Sequence, residues 1–243
     1  VRTRFGATFA RMIRIVGALA LFLFATPAFA ADRTFSVGSF ERLRVDGPFE
    51  VRVTTGSPGA RARGGKELLE RVDIDVNGTT LVVRMGNGGW GETPGKAAGA
   101  PPVITLSTPR LVSATVSAGA RVSIAKMVSQ RIDVSVTGAG LLSVENADTD
   151  QLNATLVGTG QINIGGRASR ARLLTNGAGA IDASALTVND LIVRMEGAGE
   201  TKASARYTAQ VNSTGLGKVT VTGGAKCTVK AVADGPVVCG GAR

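Results

Sequence analysis

Downstream of residue 110 apolar and polar residues alternate with a period of two, and the alternation is broken at a nearly fixed interval by a glycine turn. The turns read Gly138-Ala139-Gly140, Gly158-Thr159-Gly160, Gly177-Ala178-Gly179, Gly197-Ala198-Gly199 and Gly215-Leu216-Gly217. A degenerate copy, Ala118-Gly119-Ala120, precedes them and another, Gly235-Pro236-Val237, follows; the steps are 20, 20, 19, 20, 18 and 20 residues. A fixed period of this length marks a stacked repeat. After each turn two apolar positions alternate: Val122 and Ile124, Leu142 and Val144, Ile162 and Ile164, Ile181 and Ala183, Val219 and Val221, with one copy slipping to Thr201 and Ala203. Before it, three do so: Ile132, Val134 and Val136, then Leu152, Ala154 and Leu156, then Leu191, Val193 and Met195. Period two is the pattern of a strand with one face buried. Each repeat is therefore strand, glycine corner, strand, and a looser side of about six to eight residues.

A unit this short cannot bury its apolar face alone, but stacking copies piles equivalent positions into columns with one shared interior. Strands of successive coils then pair in parallel at roughly 4.8 Å per coil. The predicted fold is all-β, a single-stranded right-handed parallel β-helix with about 20 residues per coil. A narrow interior favours small aliphatic residues, and the chain is 44% hydrophobic but only 4% aromatic.

The region before the repeats reads as short strands at Phe35 and Val37, at Phe40, Leu43 and Val45, and at Phe49, Val51 and Val53, broken at Gly38 and Asp46-Gly47-Pro48. Lys66 to Val72 suits a short helical turn. Asn77-Gly78 between two apolar runs predicts a hairpin, residues 86–102 a loop, and Val103 to Leu106 a further strand. The expected organisation is a leader over 1–30, an N-terminal β region over 31–110 that continues or caps the solenoid, and repetitive coils over 111–243. The leader reading rests on Arg14, the apolar run from Ile15 to Phe24, and Ala28-Phe29-Ala30 as a cleavage signal, with cleavage after Ala30. The apolar run is too short to cross a bilayer. The expected location is periplasmic or at the cell surface.

The order Phe40, Val45-Asp46-Gly47-Pro48-Phe49-Glu50-Val51, Glu67-Leu68-Leu69, the Asn77-Gly78 hairpin, and Leu111-Val112-Ser113 leading into Gly-x-Gly repeats resembles the GIN-domain family of autotransporter-adhesin head domains. The resemblance spans roughly residues 35–240. It implies a β-helical fold and an envelope location, and it brings no catalytic residues to carry over. No barrel-like segment follows the repeats, so a complete autotransporter is not expected.

Charge and chemistry narrow the picture further. The formal net charge is +10, and removing the four arginines of residues 1–30 leaves +6, spread rather than striped. Beyond residue 30 the aromatics are Phe35, Phe40, Phe49, Trp90 and Tyr207, too few to build stacking platforms for nucleic acid. Histidine is absent, which removes the commonest base and metal ligand. None of the corners continues as a phosphate-binding glycine loop, and neither a cofactor nor a metal site is expected.

Aligned on the corner, Asp182 stacks beside Lys202 and Glu200 beside Lys218, and no paired acids emerge. An exported non-enzymatic binding, adhesion-type or structural module is the expected function. The rivals are a polysaccharide-active enzyme and an envelope protein attached to anionic polymers through its basic surface.

Two outward columns carry candidate binding residues: Asp133, Asn153, Arg172, Ile192, Gln210 and Lys230, and beside them Ser135, Thr155, Leu174, Arg194 and Asn212. Of these, Asn153, Thr155, Arg172, Arg194, Gln210 and Asn212 form a shallow hydrogen-bonding ladder suited to a glycan, an envelope polymer or another protein. Polarity at outward strand positions is also what solubility alone demands. Cys227 and Cys239, both in the last coil of an exported chain, are expected to pair. On the corner alignment Cys239 takes the inward position of Val122 and Leu142, and Cys227 that of Gln130 and Asp150.

Overall fold

The computed structural model describes residues 31–86 and 100–240; the leader and most of the 86–102 loop, including Trp90, lie outside the described residues. In chain order the strands are β1 (Ala31–Phe35), β2 (Arg42–Asp46), β3 (Glu50–Thr55) and β4 (Gly59–Gly64), then helix α1 (Lys66–Glu70). There follow β5 (Val72–Asn77), β6 (Thr80–Met85), β7 (Val103–Thr108), β8 (Ser113–Ser117), β9 (Arg121–Gly138) and β10 (Leu141–Gly158). The chain ends with β11 (Gln161–Gly177), β12 (Ala180–Gly197), β13 (Glu200–Ser213), β14 (Lys218–Thr222), β15 (Lys226–Ala231) and β16 (Val237–Cys239). They form a parallel β-solenoid of about six turns spaced roughly 20 residues apart.

Strands β9 to β12 each run from one glycine corner to the next, bending round three sides of the coil. The columns predicted from periodicity are present: Val122, Leu142, Ile162 and Ile181 stack in register on the first side. Ile132, Leu152, Ala171 and Leu191 stack on the third, and all eight are buried. The middle side is not loose. Asp148 pairs with Arg167 and Thr149 with Ala168, while Met127, Ala147 and Leu186 point into the core. Register shifts between Val144 and Ala147 blur the alternation there, which is why period two fades from the sequence.

From Gly158 onward glycine is required at the corners because the backbones of successive coils touch. A Cβ at Gly158 would stand 2.7 Å from the Gly138 carbonyl oxygen, and one at Gly160 would collide with that of Gly140. Gly138, Gly158 and Gly177 also take positive φ, which L side chains resist.

The N-terminal region joins the same stack. β2, the Asp46-Gly47-Pro48 corner and β3 form a coil beneath β8 and β9, with Leu43 on Ala114 and Val51 on Val122. β6 and β7 slot beneath that coil, in parallel with β2 and β3. Below them the pairing turns antiparallel: β4 on β7, β1 on β4 and β5 on β6. The Asn77–Thr80 pair closes the predicted hairpin, with Gly78 at φ +60°. α1 packs Leu69 inward, and Arg33 of β1 donates to the Leu69 carbonyl at 3.1 Å. β4, Gly-Ala-Arg-Ala-Arg-Gly, was not expected as a strand. Its alternation is carried by Ala60 and Ala62, buried but poor strand formers, so pairing on both edges decides its conformation.

Candidate binding face

The third side of the solenoid presents adjacent outward columns, because its inward positions alternate with them residue by residue. One column runs Asp133, Asn153, Arg172, Ile192, Gln210 and Thr228. The next runs Ser135, Thr155, Leu174, Arg194, Asn212 and Lys230. All six ladder residues therefore share one surface. Lys230, however, stands in the second column and not the first, where Thr228 takes its place. The alignment on Gly235 overlooked a step of 18 residues, from Gln210 to Thr228.

A further column on the same side was not singled out from the sequence: Arg131, Gln151, Arg170, Asp190, Thr208 and Lys226. It lies two residues before the first column along each strand, a spacing that could have revealed it. Between the two columns lies a shallow groove of about 240 Å³ bordered by Arg131, Gln151, Asn153, Arg170, Arg172 and Asp190.

The hydrogen bonding across this face is uneven. Arg131 and Asn153 both donate to the Asp133 carboxylate, at 3.1 and 2.7 Å. The Thr208 hydroxyl donates to Asp190 at 2.6 Å. Arg170, Arg172 and Arg194 are exposed and make no ion pair among the described residues. Several cations elsewhere are engaged: Arg167 with Asp148 on the middle side, Arg84 with Asp73 and Asp75, and Lys218 with Glu200. Asp73 and Asp75 thus clamp an arginine across the hairpin as well as lying in its solvent-exposed part.

Among the described residues two carboxylates depart from their ordinary range, and both are pushed down. A hydrogen bond from Arg167 lowers Asp148, and hydrogen bonds from the Ser184 hydroxyl and backbone N–H lower Asp182, with Lys202 adding to the effect. A general acid needs the opposite shift. Among the described residues no group of His, Cys, Asp and Glu side chains could hold a metal ion.

Cys227 and Cys239 form a disulfide with a Cα separation of 6.0 Å. Cys227 stacks on Ala209, in the inward column of Ile132 and Leu152, and not at the position of Gln130 and Asp150. Cys239 stacks on Val221, in the column of Ala203 and Ala183, and not on that of Val122. The bond therefore joins the third side to the first across the interior of the last coil.

A family model described as "Putative auto-transporter adhesin, head GIN domain" matches residues 39–225. The chain belongs to this family. A crystal structure of an adhesin so described from Bacteroides fragilis NCTC 9343 is similar to this GIN domain with a TM-score of 0.77 at 18% identity, covering 87% of this chain and 97% of that one. One from Parabacteroides distasonis ATCC 8503 has a TM-score of 0.69 at 18% identity, with the same coverages. A third, from the same strain and titled a lipid binding protein, has a TM-score of 0.65 at 16% identity, covering 89% of this chain and 96% of that one. At such identities the likeness is one of fold. No protein of curated function matches the GIN domain. Family and disulfide together point to an extracytoplasmic, adhesin-type protein, and no helix among the described residues is long and apolar enough to cross a membrane.

Proposed function

We propose that this GIN domain is an exported, non-enzymatic binding module of the bacterial envelope that engages its partner through the third side of the solenoid. The observation that carries the reading is the concentration of unpaired donors there. Arg172 and Arg194 stand among Asn153, Thr155, Gln210 and Asn212, next to a groove bordered by Asn153 and Arg172. Strand pairing holds these side chains on a rigid sheet, so binding has little backbone ordering to offset. Such a face recognises an extended polymer by repeated shallow contacts, which is how an adhesin-type module works. Both shifted carboxylates are held ionised by partners, which suits structure better than acid catalysis. Cleavage of the leader after Ala30 would deliver the domain to the periplasm or the cell surface.

The test is a glycan and envelope-polymer binding screen with the exported protein and its Asn153→Ala, Arg172→Ala, Arg194→Ala triple variant. Binding that is lost in the variant while its melting temperature holds supports the assignment. A ligand bound equally by both proteins moves the site to another face.

A further inference from the structure

The register of β13 against β12 contains an irregularity at the edge of the binding face. Val188 pairs with Ala205 and Asp190 with Thr208, so Asn189 alone stands opposite both Arg206 and Tyr207. One extra residue on one strand is a β-bulge, a device that re-aims a side chain out of the sheet. Here it leaves Tyr207 64% exposed. The phenylalanines Phe40 and Phe49 are buried and Phe35 is half-buried, so Tyr207 is the one exposed aromatic among the described residues. It immediately precedes Thr208, which belongs to the column of Asp190 and Arg170.

Arg170 and Arg172 occupy alternate positions on β11 and so point to the same side, their Cα atoms about 7 Å apart. Asp190 is in register with Arg170, yet it receives the Thr208 hydroxyl and forms no ion pair with that arginine. Asp133 is likewise taken by Arg131 and Asn153. Two guanidinium forks thus remain open side by side over the groove, the geometry that grips a carboxylate or sulfate in bidentate fashion. From β11 to β13 is two strand spacings, about 10 Å, so an anion held at Arg170 lies within a disaccharide's reach of the Tyr207 ring.

We infer that the partner of this face is an acidic polysaccharide lying along the solenoid axis, its carboxylate or sulfate held by Arg170 and Arg172 and a sugar ring stacked on Tyr207. The inference rests on the third side being the binding surface and adds the ligand class. An anionic membrane would be attracted by diffuse charge, but it would have no use for acceptors interleaved with the arginines. Gln151, in register between Arg131 and Arg170, and the remaining lone pairs of the Asp133 and Asp190 carboxylates supply acceptors for sugar hydroxyls.

The experiment measures binding of the whole chain to polygalacturonate, to its methyl ester, to a sulfated polysaccharide, to neutral dextran and to phosphatidylglycerol vesicles, with salt varied. The expected result is binding to the polyuronate or the sulfated chain, whichever anion fits, that weakens with salt. That binding should fall at least tenfold in Arg170→Ala/Arg172→Ala and several-fold in Tyr207→Ala, and persist in Tyr207→Phe. Because all three residues are exposed, the variants should melt like the parent. Equal binding of the ester or of dextran overturns the acidic-ligand inference while leaving the third side as the binding surface. Binding to vesicles in preference to both acidic polymers also overturns it, as does acidic-polymer binding insensitive to the arginine and tyrosine variants. No binding to any probe overturns the ligand class and leaves the surface to be decided by the glycan and envelope-polymer screen.

Discussion

Thr175 of β11 and Thr201 of β13 meet inside the solenoid, both completely buried, with their hydroxyl oxygens 2.8 Å apart. Thr201 is the residue at which the first-side column departs from Val122, Leu142, Ile162 and Ile181. Thr175 replaces the aliphatic of the third-side column that holds Val136, Leu156 and Met195. Each substitution alone would leave a hydroxyl without a partner. Together they satisfy one another.

A double-mutant cycle should expose that dependence. Thr201→Val alone strands the Thr175 hydroxyl and is expected to cost about 1–3 kcal/mol. Adding Thr175→Val restores an apolar contact of similar shape, and the pair should recover most of the loss. Denaturant melts of the four proteins read the coupling, and additive losses would show that the two hydroxyls do not act as a pair.

The corner glycines make a second prediction, because they are glycines for different reasons. A Cβ at Gly138 meets nothing within 4 Å, and only its φ of +87° opposes a side chain. Gly138→Ala should cost about 1–2 kcal/mol. At Gly160 the added methyl would meet the Gly140 carbonyl and stand 2.9 Å from a Val136 methyl, so coils must separate to admit it. Gly160→Ala is expected to lower the melting temperature far more than Gly138→Ala. Similar melting of the two variants would refute the close-approach explanation.

The period, the inward columns and the outward ladder were legible in the sequence because a stacked repeat writes the same constraint at every coil. Within the repeats, apart from the middle side, whose pairing is hidden by register shifts, what failed was confined to places where one coil differs from its neighbours. Gly235-Pro236-Val237 looks like a corner aligned on its first glycine, but Val237 stacks on Val219, which sets Gly235 on Gly217, the last glycine of its corner. That shift of two moved Lys230, Cys227 and Cys239 to new columns together. The Tyr207 bulge left no mark either, since an extra residue is defined only against the strand it pairs with. β4 was missed for a third reason, alanine being a weak signal of a strand.

Acid should weaken the fold partly through Asp182. Its carboxylate accepts the Ser184 N–H at 3.0 Å and the Ser184 hydroxyl at 2.6 Å, which lowers its pKa from an ordinary 3.8. A carboxylate depressed in the folded state contributes stability above its unfolded pKa and loses it as pH falls through the folded value. The melting temperature should therefore decline below about pH 4, and Asp182→Asn should flatten that part of the curve. A variant whose acid limb matches the parent's would assign the loss to other carboxylates.

The last coil poses a problem that the disulfide answers. Inside the stack every inward side chain is covered by coils on both sides, but β15 has a neighbour only in β13 and β16 only in β14. Val229, stacked on the fully buried Val211, is itself 43% exposed. Apolar burial thus holds this coil weakly, and its strands should be the first to fray. The bond between Cys227 and Cys239 ties β15 to β16 across the coil's interior, closing a loop over a sequence separation of 12. Loop closure of that size stabilises by roughly 3 kcal/mol through the unfolded state, and locally it holds the two edges together. Hydrogen exchange on oxidised and reduced protein should then show a graded response. Amides of β15 and β16 are expected to lose protection on reduction, those of β14 less so, and those of β9 to β12 scarcely at all. Uniform loss along the whole solenoid would mean that the bond stabilises the domain only globally, and unchanged protection in β15 would mean that the last coil is held by its packing after all.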